Sequence, residues 1–466
     1  MEMTFKALSD AQVENIHQAT LDLLETYGIQ IASDSAKAVF EAHGCTIDGH
    51  MVKIPARLME ASLKTVPKTF TLQGRSDGKN LDIGKDHDPV IIPAAGGVFV
   101  IDETGEKRTA DMADLQDFIK LCHTSDVCNV TCSSVIYPKT DDVQRMLLQQ
   151  VTEALALSDK PLFAHGPDRT SAARIMEMAA MGTGRTQGAY IMNNVNSLSP
   201  MAWDENMLDV IMLYAEKSQP LIIGCCSMSG FTSHIFLENT LVTNNAEVLT
   251  GIVLSQLVNP GAPVIYANTS GVADMKKVSL AIGSPELLML STAVSQLAKF
   301  YDVPFRTGGG LTDAKALDMQ AGIESAQCLM VTLANGTDVV MHSLGTLESF
   351  NSLSPLKWMV DEEICRRFQH MNRPMPDLAE GTVDMLGRMG QTAYIQQPDT
   401  MKCFRQVLHI PEIADRSPFQ EWKDNGLTPH SLALKSYEKR INAYAAPQDS
   451  DSIRKELDAF VHQALA

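Results

Sequence analysis

Between residues 90 and 343 the chain repeats one pattern eight times. A short apolar or β-branched run is followed by a polar turn and then by a stretch with helical spacing. The runs are VIIPAA (90–95), VCNVTCSSVI (127–136), PLFAHG (161–166), AYIMNN (189–194), PLIIGCC (220–226), APVIYAN (262–268), VPFRTGG (303–309) and TDVVMHS (337–343). Met112, Leu115, Ile119 and Cys122 share one helical face after the first run, and Leu249, Ile252, Val253 and Leu257 share one before the sixth. Strand alternating with helix selects parallel strands joined by right-handed crossovers. Eight such units predict an α/β fold of the (β/α)8, or TIM-barrel, type over residues 89–345. A doubly wound open sheet is the alternative.

The flanks are less regular. Residues 1–88 read as an N-terminal cap of mixed structure belonging to the same unit. Ser9 and Gln12 form a capping box, Val13, Ile16, Thr20, Leu23, Leu24 and Tyr27 follow helical spacing, and Gly28 can close the helix in a left-handed conformation. KTFTLQGR (68–75) reads as a short strand. Residues 346–466 read as the last barrel helix and a helical extension, with QEWKDNG (420–426) and a charged helix over 450–464 packing on the barrel or on a neighbouring subunit. An octapeptide recurs four units apart, as NSLSPMAW (196–203) and NSLSPLKW (351–358). It predicts one helix start used twice: Ser199 or Ser354 caps, Pro200 or Pro355 takes the first helical position, and the Trp packs one turn later.

Charge narrows the ligand. The chain of 466 residues carries 38 Lys and Arg against 56 Asp and Glu, a net charge of −18. That balance opposes binding to nucleic acid, which needs a basic footprint, and docking on anionic lipid. A small neutral or cationic ligand, or a partner protein, is expected instead. The N-terminal residues lack both a basic and an apolar signal region, and no window reaches the ~18 apolar residues of a membrane span. Nine cysteines form no regular framework, so a soluble cytoplasmic protein is expected.

In a barrel of this kind, ligand residues sit where strands end and loops begin. Those positions hold Gly96, Gly97, Ser133, His165, Asn193 to Asn196, Cys225 to Ser227, Asn268, Thr307 to Gly310, His342 and Phe350. They are rich in Asn, Gly and Ser and poor in carboxylates, which argues against a paired-carboxylate mechanism. Gly308, Gly309 and Gly310 would let a ligand approach the backbone closely, or else they make an unusual turn; neither a Walker nor a Rossmann pattern is present. His165 and His342 end the third and eighth runs. Asn194 and Asn196 can orient a carboxylate or ether oxygen without adding charge. Cys128 and Cys132, four apart, could bind zinc with His165, but no CxxC, HxH or HExxH pattern supports this and no metal is expected. The vicinal Cys225 and Cys226 should point to opposite faces.

Several of these segments together resemble the trimethylamine methyltransferase family: Gly96-Gly97-Val98 with IDETGEKRTADMADL (101–115), NNVNSLSP (193–200), TGGGLTDAKALDMQAG (307–322) and LHIPEIADR (408–416). The resemblance implies a TIM barrel that passes a methyl group to the cobalt of a cognate corrinoid protein. Every position here is a standard amino acid, whereas the archaeal trimethylamine enzymes carry pyrrolysine. The branch without pyrrolysine implies quaternary amines as donors: glycine betaine, proline betaine, carnitine or γ-butyrobetaine. On that reading the cob(I)alamin arrives on the partner, since the chain lacks the DxHxxG pattern of cobalamin-binding modules, and a homo-oligomer is expected. His342 and Asn194 would be the catalytic positions. Phe350 would supply the ring face for the cationic head, with Phe99, Phe231 and Tyr266 behind it. Asn196, Arg306, His165 and the Gly308–Gly310 strip would complete the substrate site. Two rivals are a zinc-dependent corrinoid methyltransferase for methanol or thiols, built on Cys128, Cys132 and His165, and a non-catalytic quaternary-amine binding protein.

Overall fold

A computed structural model describes residues 4–390 and 394–465. All eight runs become parallel strands of one sheet: β1 (Val90–Ile91), β2 (Thr131–Cys132), β3 (Leu162–Phe163), β4 (Ile191–Asn196), β5 (Leu221–Gly224), β6 (Val264–Ala267), β7 (Phe305–Thr307) and β8 (Val339–Val340). Their spatial order is β1-β8-β7-β6-β5-β4-β3-β2. The two ends of that sheet meet: the Asn129 amide donates to the Ile91 carbonyl (3.0 Å) and the Gly96 amide to that of Ser134 (2.9 Å). Sequential strands are therefore neighbours all the way round, as in a barrel and unlike a doubly wound sheet.

The helix Leu237–Val258 is long and apolar enough to cross a membrane, yet it is mostly buried inside the protein. It packs between the helices Asp10–Thr26 and Ala56–Leu63 of the N-terminal region and Glu205–Glu216 of the barrel layer. A helix covered on all sides carries apolar residues on every face, and here Asn244, Asn245 and Glu247 are buried among them. The N-terminal helix starts with the expected capping box at Ser9 and Gln12, and the strand Thr69–Leu72 forms where KTFTLQGR predicts one. At the other end, Ser450–Ala464 lies against Val143–Leu157, where the Arg454 guanidinium pairs with Glu153. Pro429–Asn442 lies on Pro355–Met371, where Arg440 grips the buried Glu362 through two 2.7 Å bonds.

The repeated octapeptide folds in two ways. After β8, Ser354 caps the helix Pro355–Met371, Pro355 takes the first helical position and Trp358 is fully buried. After β4 the expected helix start does not form. Ala202–Trp203 is instead a short strand, paired in parallel with Ile29–Ile31 of the N-terminal region, and the helix begins at Glu205 behind an Asp204 cap. The buried Glu247 is the cause. Its carboxylate accepts hydrogen bonds from the Ser197 and Ser199 hydroxyls (2.5 and 2.7 Å) and from the Met201 amide (2.7 Å). The Ser199 hydroxyl is thus spent as a donor on Glu247. The Ser199–Pro200 peptide is cis.

A candidate site at the barrel mouth

Register and alternation decide which side chains face the lumen. The Tyr266 hydroxyl donates to Asn245 Oδ1 (2.9 Å) on the surrounding Leu237–Val258 helix, so Tyr266 points outward. Its cross-strand partner Ile223 points outward with it, and Asn194, paired with Ile222, points inward. Asn196 lies beside Gly224, and Arg306 beside Ala267 and Val339, on that same inward side. A Cβ on Gly224 would meet Asn196 Oδ1 at 2.7 Å and the Ala267 Cβ at 3.4 Å. Gly224 is therefore glycine so that the Asn196 amide can lie over it, and the small Ala267 sits between that amide and Arg306.

Arg306 is the most unusual group on that floor. It is only 3% exposed and its Nε has no hydrogen-bond partner among the described residues. Burial pulls its guanidinium down to about 10, opposed by the thiols of Cys226 and Cys328. The neighbouring Thr307 turns outward, its hydroxyl 3.0 Å from that of Thr337, which by alternation confirms Arg306 in the lumen. Asn268, at the end of β6, also keeps an unpartnered Nδ2. Buried polar groups are normally satisfied, so donors left open in a barrel mouth point to a ligand acceptor.

His342 and Phe350 form the wall beside Arg306, on the loop that follows the neighbouring strand β8. Their ring centroids lie 4.6 Å apart at 55°. The Ala95 amide donates to His342 Nδ1 (3.3 Å). Burial, and then Arg306, hold the imidazole well below its ordinary value. A ring that accepts at Nδ1 and resists protonation is neutral, with its proton on Nε2. His342 sits at φ 57°, and Glu348, Ser349 and Phe350 at 51°, 50° and 78°. These left-handed conformations are unfavourable for residues with a Cβ and cluster at functional sites. They are held by amide bonds from Glu348 to the Ala314 carbonyl (2.8 Å) and from Ser349 to that of Thr312 (3.1 Å). Lys107 (2.6 Å) and the Ser352 hydroxyl (2.6 Å) anchor the Glu348 carboxylate.

Other expected positions are placed differently. Gly308, Gly309 and Gly310 are buried, and the space a Cβ would take is filled by Thr332, by the Met341 and His342 carbonyls, and by the Ser343 carbonyl respectively. Gly308 is thus glycine to admit the helix Met319–Ala334, and Gly309 and Gly310 to admit the loop after β8, so packing within the protein accounts for the strip. Tyr266 faces the helices, as described, because its hydroxyl is satisfied there. Phe231 is 63% exposed on the loop after β5, away from the lumen floor. The face of Phe99 is covered by Lys107, whose Nζ lies 4.1 Å from the ring centre. His165 is half-buried beside Asn193 and Asn194, and burial lowers its pKa. Cys225 turns outward to Glu247 (3.1 Å) while Cys226 is solvent-accessible, the opposed pair alternation predicts. Cys128 sits against Cys122, and Cys132 against Ser134. Among the described residues no three His, Cys, Asp or Glu side chains gather as metal ligands, so no observation favours the zinc arrangement. Strand-end position alone placed Cys226 and Asn268 among many; alternation from Tyr266 would have singled out Cys226.

The sequence profile of the trimethylamine methyltransferase (MTTB) family matches residues 2–465. The chain is 33% identical to a glycine betaine methyltransferase of Desulfitobacterium hafniense (strain Y51), over 98% of this chain and 97% of that one. It is 31% identical to an L-carnitine:corrinoid methyltransferase of Eubacterium limosum, over 96% and 95% of the two chains. A proline betaine:corrinoid methyltransferase of the same organism is also 31% identical, over 95% and 94%. In fold it resembles MtmB, solved as its hydroxylamine complex, with a TM-score of 0.50 over 98% and 96% of the chains at 13% identity. With its eight-stranded parallel barrel and a match that runs almost end to end, the chain belongs to the trimethylamine methyltransferase family.

Proposed function

We propose that the protein transfers a methyl group from a carboxylated quaternary amine of the betaine class to a corrinoid protein. The observation that carries this reading is the unpartnered Arg306 guanidinium on the lumen floor, beside the neutral His342–Phe350 wall of the neighbouring strand. A guanidinium suits a carboxylate, and aromatic faces suit a quaternary ammonium. The neutrality of His342 matters, because a protonated imidazole there would repel the cationic head. Asn194 and Asn196 add amide contacts with no charge.

The acceptor substrate is the cob(I)alamin of a partner corrinoid protein, whose cobalt takes the methyl group. The C–N bond breaks with its electron pair left on nitrogen. The leaving group is then a neutral tertiary amine, and no proton has to move. The work of this chain is to hold the carboxylate at Arg306, seat the head on Phe350 and exclude water, so that one methyl faces out of the mouth. A site without an acid–base carboxylate pair fits that task.

We also assign a homo-oligomer. The helices Thr382–Met389 and Pro398–Val407 bury none of their residues. They leave Val383, Met401 and Val407 at least 61% exposed, more apolar surface than a free monomer usually keeps. All nine cysteines are free, which suits a reducing cytoplasm.

The test is a substrate panel with reduced corrinoid protein, followed by loss of cob(I)alamin absorbance. Glycine betaine, proline betaine, carnitine or γ-butyrobetaine should turn over, and trimethylamine should not. Arg306→Gln should raise KM for the carboxylated donor on the order of 10–100-fold, as loss of a charged hydrogen bond predicts. Trimethylamine consumed as fast as any betaine would refute the reading.

A further inference from the structure

Cys226 is two residues beyond Gly224 on the same inward alternation, one step nearer the mouth. Its sulfur lies 3.8 Å from the Thr269 carbonyl. Solvent reaches the thiol, and the Arg306 guanidinium is close enough to act on it electrostatically. Across that floor, Gly224 and Ala267 separate Asn196 from Arg306. Arg306 keeps its buried charge without a carboxylate partner among the described residues. A buried cation with no anion of its own is strongly disfavoured unless one is supplied from outside.

We propose that Arg306 and Cys226 form one carboxylate-receiving subsite, in which the guanidinium draws the anion in and the Cys226 thiol is the wall it abuts. This rests on the betaine reading for the identity of the natural ligand, but the subsite itself can be tested without turnover. A carboxylated electrophile steered by Arg306 should place its reactive carbon at the sulfur. With iodoacetate the thiolate forms the S–C bond, iodide leaves with the C–I electron pair, and the thiol proton passes to water. Burial raises the Cys226 thiol while Arg306 opposes that rise, so a neutral reagent gains nothing from the site and an anionic one gains from Arg306.

Full-length protein is treated in parallel with iodoacetate and iodoacetamide, and modification is read by mass spectrometry. Cys403, half-buried on the helix Pro398–Val407, is the internal reference. The iodoacetate-to-iodoacetamide rate ratio at Cys226 should exceed that at Cys403 about tenfold, within the range of electrostatic steering. Arg306→Gln should bring the ratio down to that of Cys403. Arg306→Lys, which keeps the charge, should retain most of it, with circular dichroism confirming that both variants fold. Equal ratios at the two cysteines, or a preference that survives in Arg306→Gln, would overturn the subsite. Glycine betaine should protect Cys226 while choline, which lacks the carboxylate, should not. Steering at Cys226 without protection by glycine betaine would uphold the subsite and count against the betaine reading. Betaine turnover without steering would do the reverse.

Discussion

The same eight-residue phrase, Asn-Ser-Leu-Ser-Pro-x-x-Trp, stands on opposite sides of this barrel and does different work. After β8 it starts a helix, and Lys357 makes a fully buried ion pair with Asp361 (2.5 and 2.6 Å). That pair ties two loops together: Lys357 donates to the Gly310 carbonyl (3.2 Å), and Asp361 accepts from the Gly345 amide (2.8 Å). After β4 the position of Lys357 is taken by Ala202, which joins a strand instead, while Glu247 gathers the loop from a helix about fifty residues away in sequence. Both tryptophans are buried and both indole N–H groups are satisfied, Trp203 on the Glu247 carbonyl (3.0 Å) and Trp358 on the Glu362 carboxylate (2.8 Å). The lesson is that the Trp anchor is a property of the phrase, whereas the backbone path depends on the buried charge facing it.

The largest effect should come from breaking the β8 clamp. Lys357→Met leaves Asp361 buried and unpaired, at a cost of about 3–5 kcal/mol in denaturant unfolding. The double variant Lys357→Met/Asp361→Leu should recover much of that loss; a double variant no more stable than the single one would remove the clamp from the comparison.

On the β4 side, Glu247→Leu deprives two half-buried hydroxyls of their acceptor and strands the Met201 amide, the amide alone costing about 1–3 kcal/mol as one unsatisfied group. Hydrogen exchange should quicken over 196–203 and stay unchanged over 351–358. Exchange that rises equally in both copies would mean that Glu247 acts on the whole barrel.

Smaller substitutions separate a cap from a tether. Ser354→Ala should cost about 1 kcal/mol and Ser354→Gly only a few tenths, because glycine is a tolerable N-cap. Ser199 caps no helix, so at that position glycine should hold no advantage over alanine. Thermal melts of the four variants decide this.

The β8 wall also carries a pH signature. The folded pKa of His342 lies well below the ordinary 6.5, so its contribution to stability is complete above that value and is lost as pH falls toward the folded pKa. Between pH 8 and pH 6 the wild type should lose about 0.8 kcal/mol more than His342→Asn, taking 6.5 as the unfolded value. Identical pH profiles would show that the imidazole is not held neutral.

Much of this was legible along the chain because it depends on short-range pattern. All eight strands, the Ser9 capping box and the opposed directions of Cys225 and Cys226 follow from alternation and spacing, each of which a few neighbouring residues impose. The misplacements share one cause. Along the chain Tyr266 is a candidate ring for the ligand, but its direction is fixed by Asn245 on the helix Leu237–Val258. Gly308 to Gly310 suggest a ligand cradle along the chain, but in space their lack of side chains admits Thr332 and the loop after β8. Phe231 is a candidate only as a ring for the cationic head, and residue type says nothing about where a loop goes next.

The sequence by itself determined the repeating strand–helix order, and with it a barrel whose strand ends hold amides, glycines and two histidines but few carboxylates. Tertiary structure alone decided which of those residues meet. Glu247, Asn245 and Lys357 each act across tens of residues, and the energy of a buried charge or hydroxyl depends on what stands opposite it in space. Arg306 shows the division most clearly. Its place on β7 is written in the local pattern, but its lack of a counter-ion appears only when the strands close around it.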